Sequence, residues 1–392
     1  KKIAKKKMQR SSKKFENFFQ KKKKIKLDKE LKKILSEKSE IINSLKSTYK
    51  NSYSKKILSK AKKFKQISII GMGGSILGTE AIHSFLKHKI KKKITFYDNL
   101  KKDLVLSKSN KKKLNLVISK SGSTLETISN ANILIKKNDE NIFITENRNS
   151  YLMKLAKKLK AEVVYHNDYI GGRYSVLSEV GMLPAELMGL KQNKFKRFND
   201  LIKNKRFVNS LILNVSNTIN LIKQKKFNSI ILNYDESSIN LFNWYQQLIA
   251  ESLGKNNKGI LPIISLLPKD NHSLMQLYLD GFKNNFFTFF FVQDNVKKNI
   301  INSNIIDTHS YLRGKSLSDI LEAQFNATKK VFIKKKIPFR SFYLRKKNEE
   351  TLGELFTFFI LETILLGKAM KINPYNQPAV ELIKKETKKN LI

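Results

Sequence analysis

Short apolar runs that alternate with helical patterns, two of them stopping at a glycine- or serine-rich turn, govern what this chain can fold into. Ile67-Ser68-Ile69-Ile70, Ile94–Tyr97, Leu114–Ser119, Asn141–Thr145 and Ala161–His166 read as strands. Helical patterns lie between them around Ala81–Leu86, 125–136 and 150–159, and another is expected over Val176–Met188. Such alternation is the signature of a doubly wound parallel sheet. The outline returns from near residue 195: helix 207–224, strand Ser229–Asn233, helix 238–253, strand Ile260–Leu267, helix 272–280 and strand Phe287–Val292. No convincing sequence repeat accompanies it. A helix over 317–332, a strand at Phe339–Leu344, a long apolar helix Leu352–Met370 and a basic helix complete the chain. The expected fold is therefore α/β. Two α/β/α sandwich domains with parallel sheets span 66–192 and 193–350. A lysine-rich helical N-terminal segment, 1–65, precedes them, and a C-terminal helical arm, 351–392, follows.

Composition narrows the partners. The net charge of +46 points first to nucleic acid or an anionic surface. Only eight residues are arginine, however, and the lysines run along the whole chain in company with Asn and Ile. That distribution reads as compositional drift rather than a module, so no specific nucleic acid is expected. The chain has no cysteine, hence no disulfide and no thiolate site, which fits a reducing, cytoplasmic compartment. No window reaches roughly eighteen uncharged apolar residues, so no membrane span is expected. The basic Lys1–Lys14 lacks the apolar stretch of a secretory signal. The five histidines show no metal-ligand spacing with acidic neighbours, so no metal is expected.

The chemistry gathers where strands end. After Leu114–Ile118 comes Ser119-Lys120-Ser121-Gly122-Ser123-Thr124-Leu125-Glu126-Thr127, opening a helix. Unpaired helix N–H groups, the positive end of the helix dipole, several hydroxyls and one ammonium make a cradle for an anion, read here as a phosphate. Ser119, Lys120, Ser121 and Thr124 are its candidates. The turn Gly71-Met72-Gly73-Gly74-Ser75-Ile76-Leu77-Gly78 fits neither the dinucleotide glycine pattern nor a P-loop. Gly74 would let backbone approach a ligand closely, with Ser75 offering N–H and hydroxyl; a plain strand–helix turn explains these residues equally well. Both loops sit at carboxyl ends of strands, where ligands of such sheets gather.

Further along, Gly171-Gly172-Arg173-Tyr174-Ser175 places an arginine beside two glycines in a chain that otherwise uses lysine. In Gln247-Leu248-Ile249-Ala250-Glu251-Ser252-Leu253-Gly254-Lys255, Gln247 and Glu251 share a helix face and Gly254 reads as the stop. A carboxylate at that end of a helix suits a group that must accept a proton, although a solvated helix-end Glu has the same sequence. His272 follows a buried strand where the next helix begins. Asn373-Pro374-Tyr375-Asn376-Gln377-Pro378 is a proline-fixed turn ahead of a helix that carries Lys384.

In this order the motifs resemble the glucose-6-phosphate isomerase (phosphoglucose isomerase) family over about residues 65–385. The resemblance implies two sugar-isomerase (SIS-type) domains, a homodimer, and cofactor-free interconversion of glucose 6-phosphate and fructose 6-phosphate. It implies phosphate binding by Ser119, Lys120, Ser121 and Thr124, with Gly74 and Ser75 beside them. Glu251 matches the base that moves a proton between C1 and C2 through a cis-enediol. Arg173, with Gly172 beside it, matches the cation that steadies the enediolate, and Gln247 a substrate contact. His272, reaching the site from the partner subunit, and Lys384 match the ring-opening pair, with Gln377 alongside Lys384. Two departures concern the last motif: Ile383 stands where the family has Gly, and Pro378-Ala379 varies the turn. A related isomerase that also accepts mannose 6-phosphate and a non-catalytic SIS module that senses sugar phosphates remain alternatives. A sensor would need the cradle but not Glu251, Arg173, His272 and Lys384 together.

Overall fold

The apolar runs become strands in a computed structural model that describes residues 13–18, 25–104, 112–136, 138–293, 299–301 and 310–392. Residues 1–12 of the N-terminal segment expected to be helical lie outside the described residues. The N-terminal segment forms β1 (Lys13–Glu16), α1 (Asp28–Ser36), α2 (Glu40–Leu45) and α3 (Lys55–Lys62). Next come β2 (Gln66–Gly71), α4 (Leu77–Phe85), β3 (Lys93–Tyr97), β4 (Leu114–Ile118), α5 (Leu125–Leu134), β5 (Glu140–Thr145), α6 (Tyr151–Lys158) and β6 (Glu162–Tyr165). These five strands make one parallel sheet in the order β3-β2-β4-β5-β6. All five residues of β4 are buried, as a central strand covered on both faces requires.

Four helices, α7 (Glu179–Leu187), α8 (Gln192–Phe195), α9 (Phe198–Lys203) and α10 (Lys205–Lys223), lead to the second unit. It contains β7 (Asn228–Asn233), α11 (Ile239–Leu253), β8 (Leu261–Leu266), α12 (Met275–Asp280), β9 (Asn285–Val292), α13 (Leu317–Lys334) and β10 (Phe339–Leu344). The second sheet runs β1-β10-β9-β7-β8. Its last four strands are parallel, and β1 closes one edge antiparallel to β10. Sequence pattern offered no hint of β1, because Lys-Lys-Phe-Glu carries a single apolar residue. That residue decides the matter: the Phe15 ring lies 4.6 Å from Phe342 and 5.3 Å from Phe358. The helix expected from Val176 begins later. Gly172–Leu177 is a 3-10 turn, and the extended backbone of Ser178 separates it from α7.

The chain ends in α14 (Glu349–Ala369) and α15 (Val380–Asn390). They are unlike each other. α14 is apolar on every side and buried from Leu352 through Leu366 apart from Glu354, as such a helix must be. It packs on α8, α10 and α11 and joins both units in one hydrophobic core. α15 is exposed along nearly its whole length. Among the described residues no helix is long and apolar enough to cross a membrane.

One buried polar network fixes the second sheet to this helical layer. Arg340 on β10 pairs with Glu362 on α14. Its guanidinium also donates to Thr288 on β9 (2.9 Å), Asn214 on α10 (3.0 Å) and the Tyr245 hydroxyl on α11 (3.0 Å). Asn214 and Tyr245 donate in turn to Glu362, at 2.6 and 3.2 Å. Removing one partner of a buried ion pair leaves an uncompensated charge and typically costs about 3–5 kcal/mol. Glu362→Ala should therefore lower the stability measured by urea unfolding by that order, and the double variant Arg340→Met/Glu362→Leu should recover most of it. A Glu362→Ala protein with unchanged unfolding would remove this network from the account of stability.

Candidate active site

In the first sheet the chain passes from β2 outward to β3 and then crosses back to β4 on the other side of β2. The reversal opens a crevice between β2 and β4 at their carboxyl ends, the usual place for a ligand. Gly71 pairs with Ile118, so the glycine turn and the Ser119–Thr124 loop leave the sheet side by side. The loop is shaped from within. Ser119 is buried and its hydroxyl lies 2.9 Å from that of Thr124. Gly122 adopts φ +62°, and a Cβ there would sit 2.2 Å from the Ser150 hydroxyl. Thr124 stands at the N-cap of α5 without a side-chain capping bond, which leaves the first-turn N–H groups facing the loop. Ser121 is exposed at the tip. Lys120 leans out of the loop. It donates to the carbonyl of Asp168 at 2.7 Å and lies 3.5 Å from buried Glu146, which also pairs with Arg148.

The glycine turn meets a second loop backbone to backbone. A Cβ on Gly74 would fall 2.3 Å from the carbonyl carbon of Gly172 and 2.4 Å from the nitrogen of Arg173. Only glycine permits this approach. It sets the starting point of the Arg173 side chain, which is 2 % exposed yet fully engaged. Nε donates to the Ser252 hydroxyl (2.7 Å) and Nη1 to Oε1 of Gln377 (2.7 Å). Nη2 donates to the carbonyls of Pro374 (2.7 Å) and Asn376 (3.2 Å). A guanidinium has five N–H groups. Four are thereby taken, and the fifth is on Nη1, which lies 3.5 Å from Glu251. The Tyr174 hydroxyl reinforces the arrangement through Ser252 (2.9 Å) and Pro374 (2.9 Å), and Trp244 donates to the Arg173 carbonyl.

Glu251 and Gln247 lie one turn apart on α11. Gln247 reaches the glycine turn: its Nε2 is 3.1 Å from where a Gly73 Cβ would be, and its Oε1 is buried without a hydrogen-bond donor. The structure thus brings together Gly74, Gly172, Arg173, Gln247, Glu251 and Gln377, with Ser75 in the turn between. It does not bring two expected residues into hydrogen-bond or ion-pair contact with them. His272 is exposed in the 3-10 turn after β8, and Lys384 is exposed on α15, paired with Glu381 at 2.6 Å. Sequence reading passed over Ser252 and Lys255. The Lys255 ammonium donates to the carbonyls of Ser252 (2.8 Å) and Asn373 (2.6 Å). Their signal was their place in the Gln247–Lys255 stretch that carries the resemblance, which gave neither a role. Among the described residues no cluster of three or more acidic or histidine side chains is gathered for a metal.

Two largely parallel sheets, with an anion-suited loop at the switch point of one and a cation–carboxylate pair beside it, define a doubly wound α/β protein. Solved structures share the fold. A hypothetical protein from Thermus thermophilus superposes with a TM-score of 0.78 at 22 % identity, covering 93 % of this chain and 94 % of that one. A glucose-6-phosphate isomerase from Chlamydia trachomatis does so with 0.68 at 18 %, covering 89 % and 77 %. The phosphoglucose isomerase family model matches residues 19–391, and the chain belongs to that family. The glucose-6-phosphate isomerase of Methanocaldococcus jannaschii is 34 % identical over 82 % of this chain and 83 % of its own. That of Mycoplasmopsis pulmonis is 33 % identical over 84 % of each.

The Gly74–Gly172 contact gives a direct test. Gly74→Ala must push the two loops apart and carry Arg173 with them, and displacements of about 1 Å can cost on the order of 100-fold in turnover. Gly171→Ala is the control, since its Cβ would meet only Tyr174 Cδ2 at 3.6 Å. Steady-state kinetics on both variants, with thermal melts to confirm folding, should separate them by that order. Equal activities would mean that the close approach does not position Arg173.

Proposed function

We propose that the protein interconverts glucose 6-phosphate and fructose 6-phosphate by ring opening and proton transfer through a cis-enediol, a step of glycolysis and gluconeogenesis. The observation that carries this reading is a solvent-reachable carboxylate, Glu251, held 3.5 Å from a buried and immobilised cation, Arg173. Both stand beside the crevice where the phosphate cradle opens. The 6-phosphate docks on the N–H groups of α5 and on Ser119, Ser121 and Thr124, with Lys120 adding charge and Ser75 contributing from the facing turn. The open-chain sugar then extends toward α11. Glu251 as carboxylate takes the C2 proton of the aldose and returns it to C1, while a proton passes between O1 and O2. The enediolate that forms on the way carries negative charge, and Arg173 is already oriented to meet it, so no reorganisation is needed when the charge appears. Gln247 supplies an unpaired acceptor for a sugar hydroxyl. Carboxylate and cation suffice for this proton transfer.

Ring opening falls to His272 of the partner subunit, with Lys384 and Gln377 closing the site from the arm. This makes the active form a homodimer, in the cytoplasm where its phosphorylated substrates are held. The position of His272, exposed and unconnected to the site of its own chain, supports that assignment.

Glu251→Gln should lower kcat by roughly 10²-fold or more, as loss of a general base does, with KM for fructose 6-phosphate little changed. Thr124→Ala should instead raise KM about ten-fold, the cost of one hydrogen bond to a charged group. A coupled assay run in both directions decides; full turnover by the Glu251→Gln variant would end the assignment of the base. The dimer is tested by mixing Glu251→Gln chains with His272→Gln chains after dissociation. Recovery of about a quarter to a half of the wild-type rate is expected from sites that combine intact residues. No recovery from a mixture shown to be dimeric would place each site within one chain.

A further inference from the structure

The hydrogen bonds at the end of α11 centre on Lys255, which has no part in the proton transfer proposed above. Gly254 stops the helix and leaves its last carbonyls without helical partners. The chain then turns sharply through Asn256 and Asn257, both at positive φ, so that Lys255 and Lys258 exchange backbone hydrogen bonds of 3.0 Å. The two lysines of this clasp reach the same stretch of chain. Lys258 donates to the carbonyl of Met370 at 3.2 Å. Lys255 donates to the carbonyl of Ser252, one residue beyond Glu251, and to that of Asn373. The Asn373 side chain accepts the N–H of Tyr375 at 3.0 Å and so shapes the turn whose next residues, Pro374, Asn376 and Gln377, hold Arg173. Arg173 and Lys255 therefore grip adjacent carbonyls of one turn, and Glu251 is the carboxylate that acts on both.

We propose, on the isomerase reading given above, that Lys255 is a positioning residue for the proton transfer: its ammonium ties the helix end bearing Glu251 to the turn that orients Arg173, and adds a second positive charge facing the developing enediolate. Before reaction two cations face one carboxylate. When Glu251 takes up the substrate proton it becomes neutral, and the negative charge moves to the enediolate oxygen. The two cations then act on that oxygen, which limits the cost of moving the charge off Glu251.

The titration of this amine supports the geometry. The charged or titratable groups on the elements packed around it are Arg173 and Tyr174 of the 3-10 turn, Glu251 of α11, Lys258 of the clasp and Tyr375 of the C-terminal turn. Burial and then the charge of Arg173 push the Lys255 ammonium down to about 8, with Glu251 opposing. The sign follows: raising the pH through about 8 removes the charge, loosens the grip on the two carbonyls and slows turnover, whereas below that range the effect is complete.

The test compares Lys255→Met and Lys255→Arg with wild type, each as the full-length protein, over pH 6 to 10 with fructose 6-phosphate. Lys255→Met should lose about ten-fold or more in kcat with KM changed less than about three-fold, and its remaining activity should lack the fall near pH 8. Lys255→Arg, which keeps its charge throughout, should hold kcat within a few-fold of wild type and carry activity past that fall. A methionine variant with wild-type kcat and the same alkaline fall would overturn the proposal. If Lys255→Met does not fold, the arginine profile decides: an alkaline fall identical to wild type overturns it, and its displacement upholds it. An inactive wild type would instead strike at the isomerase reading itself, so the two failures are distinguishable.

Discussion

Much of the site depends on one buried cation. Moving a guanidinium out of water costs several kcal/mol unless its donors are met. Arg173 meets this requirement with acceptors from two separate segments: Ser252 on α11, and the C-terminal turn through the carbonyls of Pro374 and Asn376 and the Gln377 side chain. The demand works in both directions. Because Arg173 must have those partners, the helix end and the C-terminal turn are held where it needs them, and Glu251 and Gln377 arrive at the crevice as a consequence. The Gly74–Gly172 contact fixes a further side by anchoring the backbone from which Arg173 springs.

Rigidity reaches this cluster through α11, which belongs to the core and to the site at once. Leu248 and Ser252 follow Trp244 at intervals of four residues, and all three are buried. Tyr245 joins the Arg340–Glu362 network under the second sheet. On the neighbouring stripe Gln247 reaches the first sheet's glycine turn and Glu251 lies beside Arg173. The helix thus transmits the packing of one parallel unit to the crevice of the other. The acceptor it presents there, Oε1 of Gln247, is one of the buried polar atoms without a hydrogen-bond partner among the described residues.

The fold was legible because its signals are local. Every apolar run read as a strand is one, since a short apolar run set between helical patterns needs no distant information to be recognised. The Ser119–Thr124 loop and the Gly71–Gly78 turn were likewise legible at strand ends. β1 was not, because a four-residue edge strand with one phenylalanine draws its stability from rings far along the chain, at 342 and 358. Ser252 and Lys255 escaped for a similar reason. Their importance lies in carbonyls and a guanidinium supplied by other segments, and neither residue type announces such partners. Arg173 could be singled out because it follows two glycines in a chain where arginine is scarce, within a motif that resembles the family's.

That scarcity has a physical reading. Lysine serves wherever a diffuse positive charge or a single donor is enough, and the surface carries it freely. Buried positions are less tolerant. Lys196, buried against the carbonyl of Ser44, is pushed down to about 7 by desolvation. A residue in that state is a poor fixed charge near neutral pH. Arg340 is buried too, and burial opposes its charge, yet Glu362 and Tyr245 outweigh that and leave it cationic. A planar fork with five donors can satisfy several segments at once, whereas an ammonium offers three hydrogens from one point. Arg173 and Arg340, both sealed in the interior, occupy the two places where several elements must be locked to one permanent charge: the cation beside Glu251 and the junction under the second sheet. At either place an ammonium would leave some of these acceptors unmet, so arginine stands where geometry and charge must both be guaranteed.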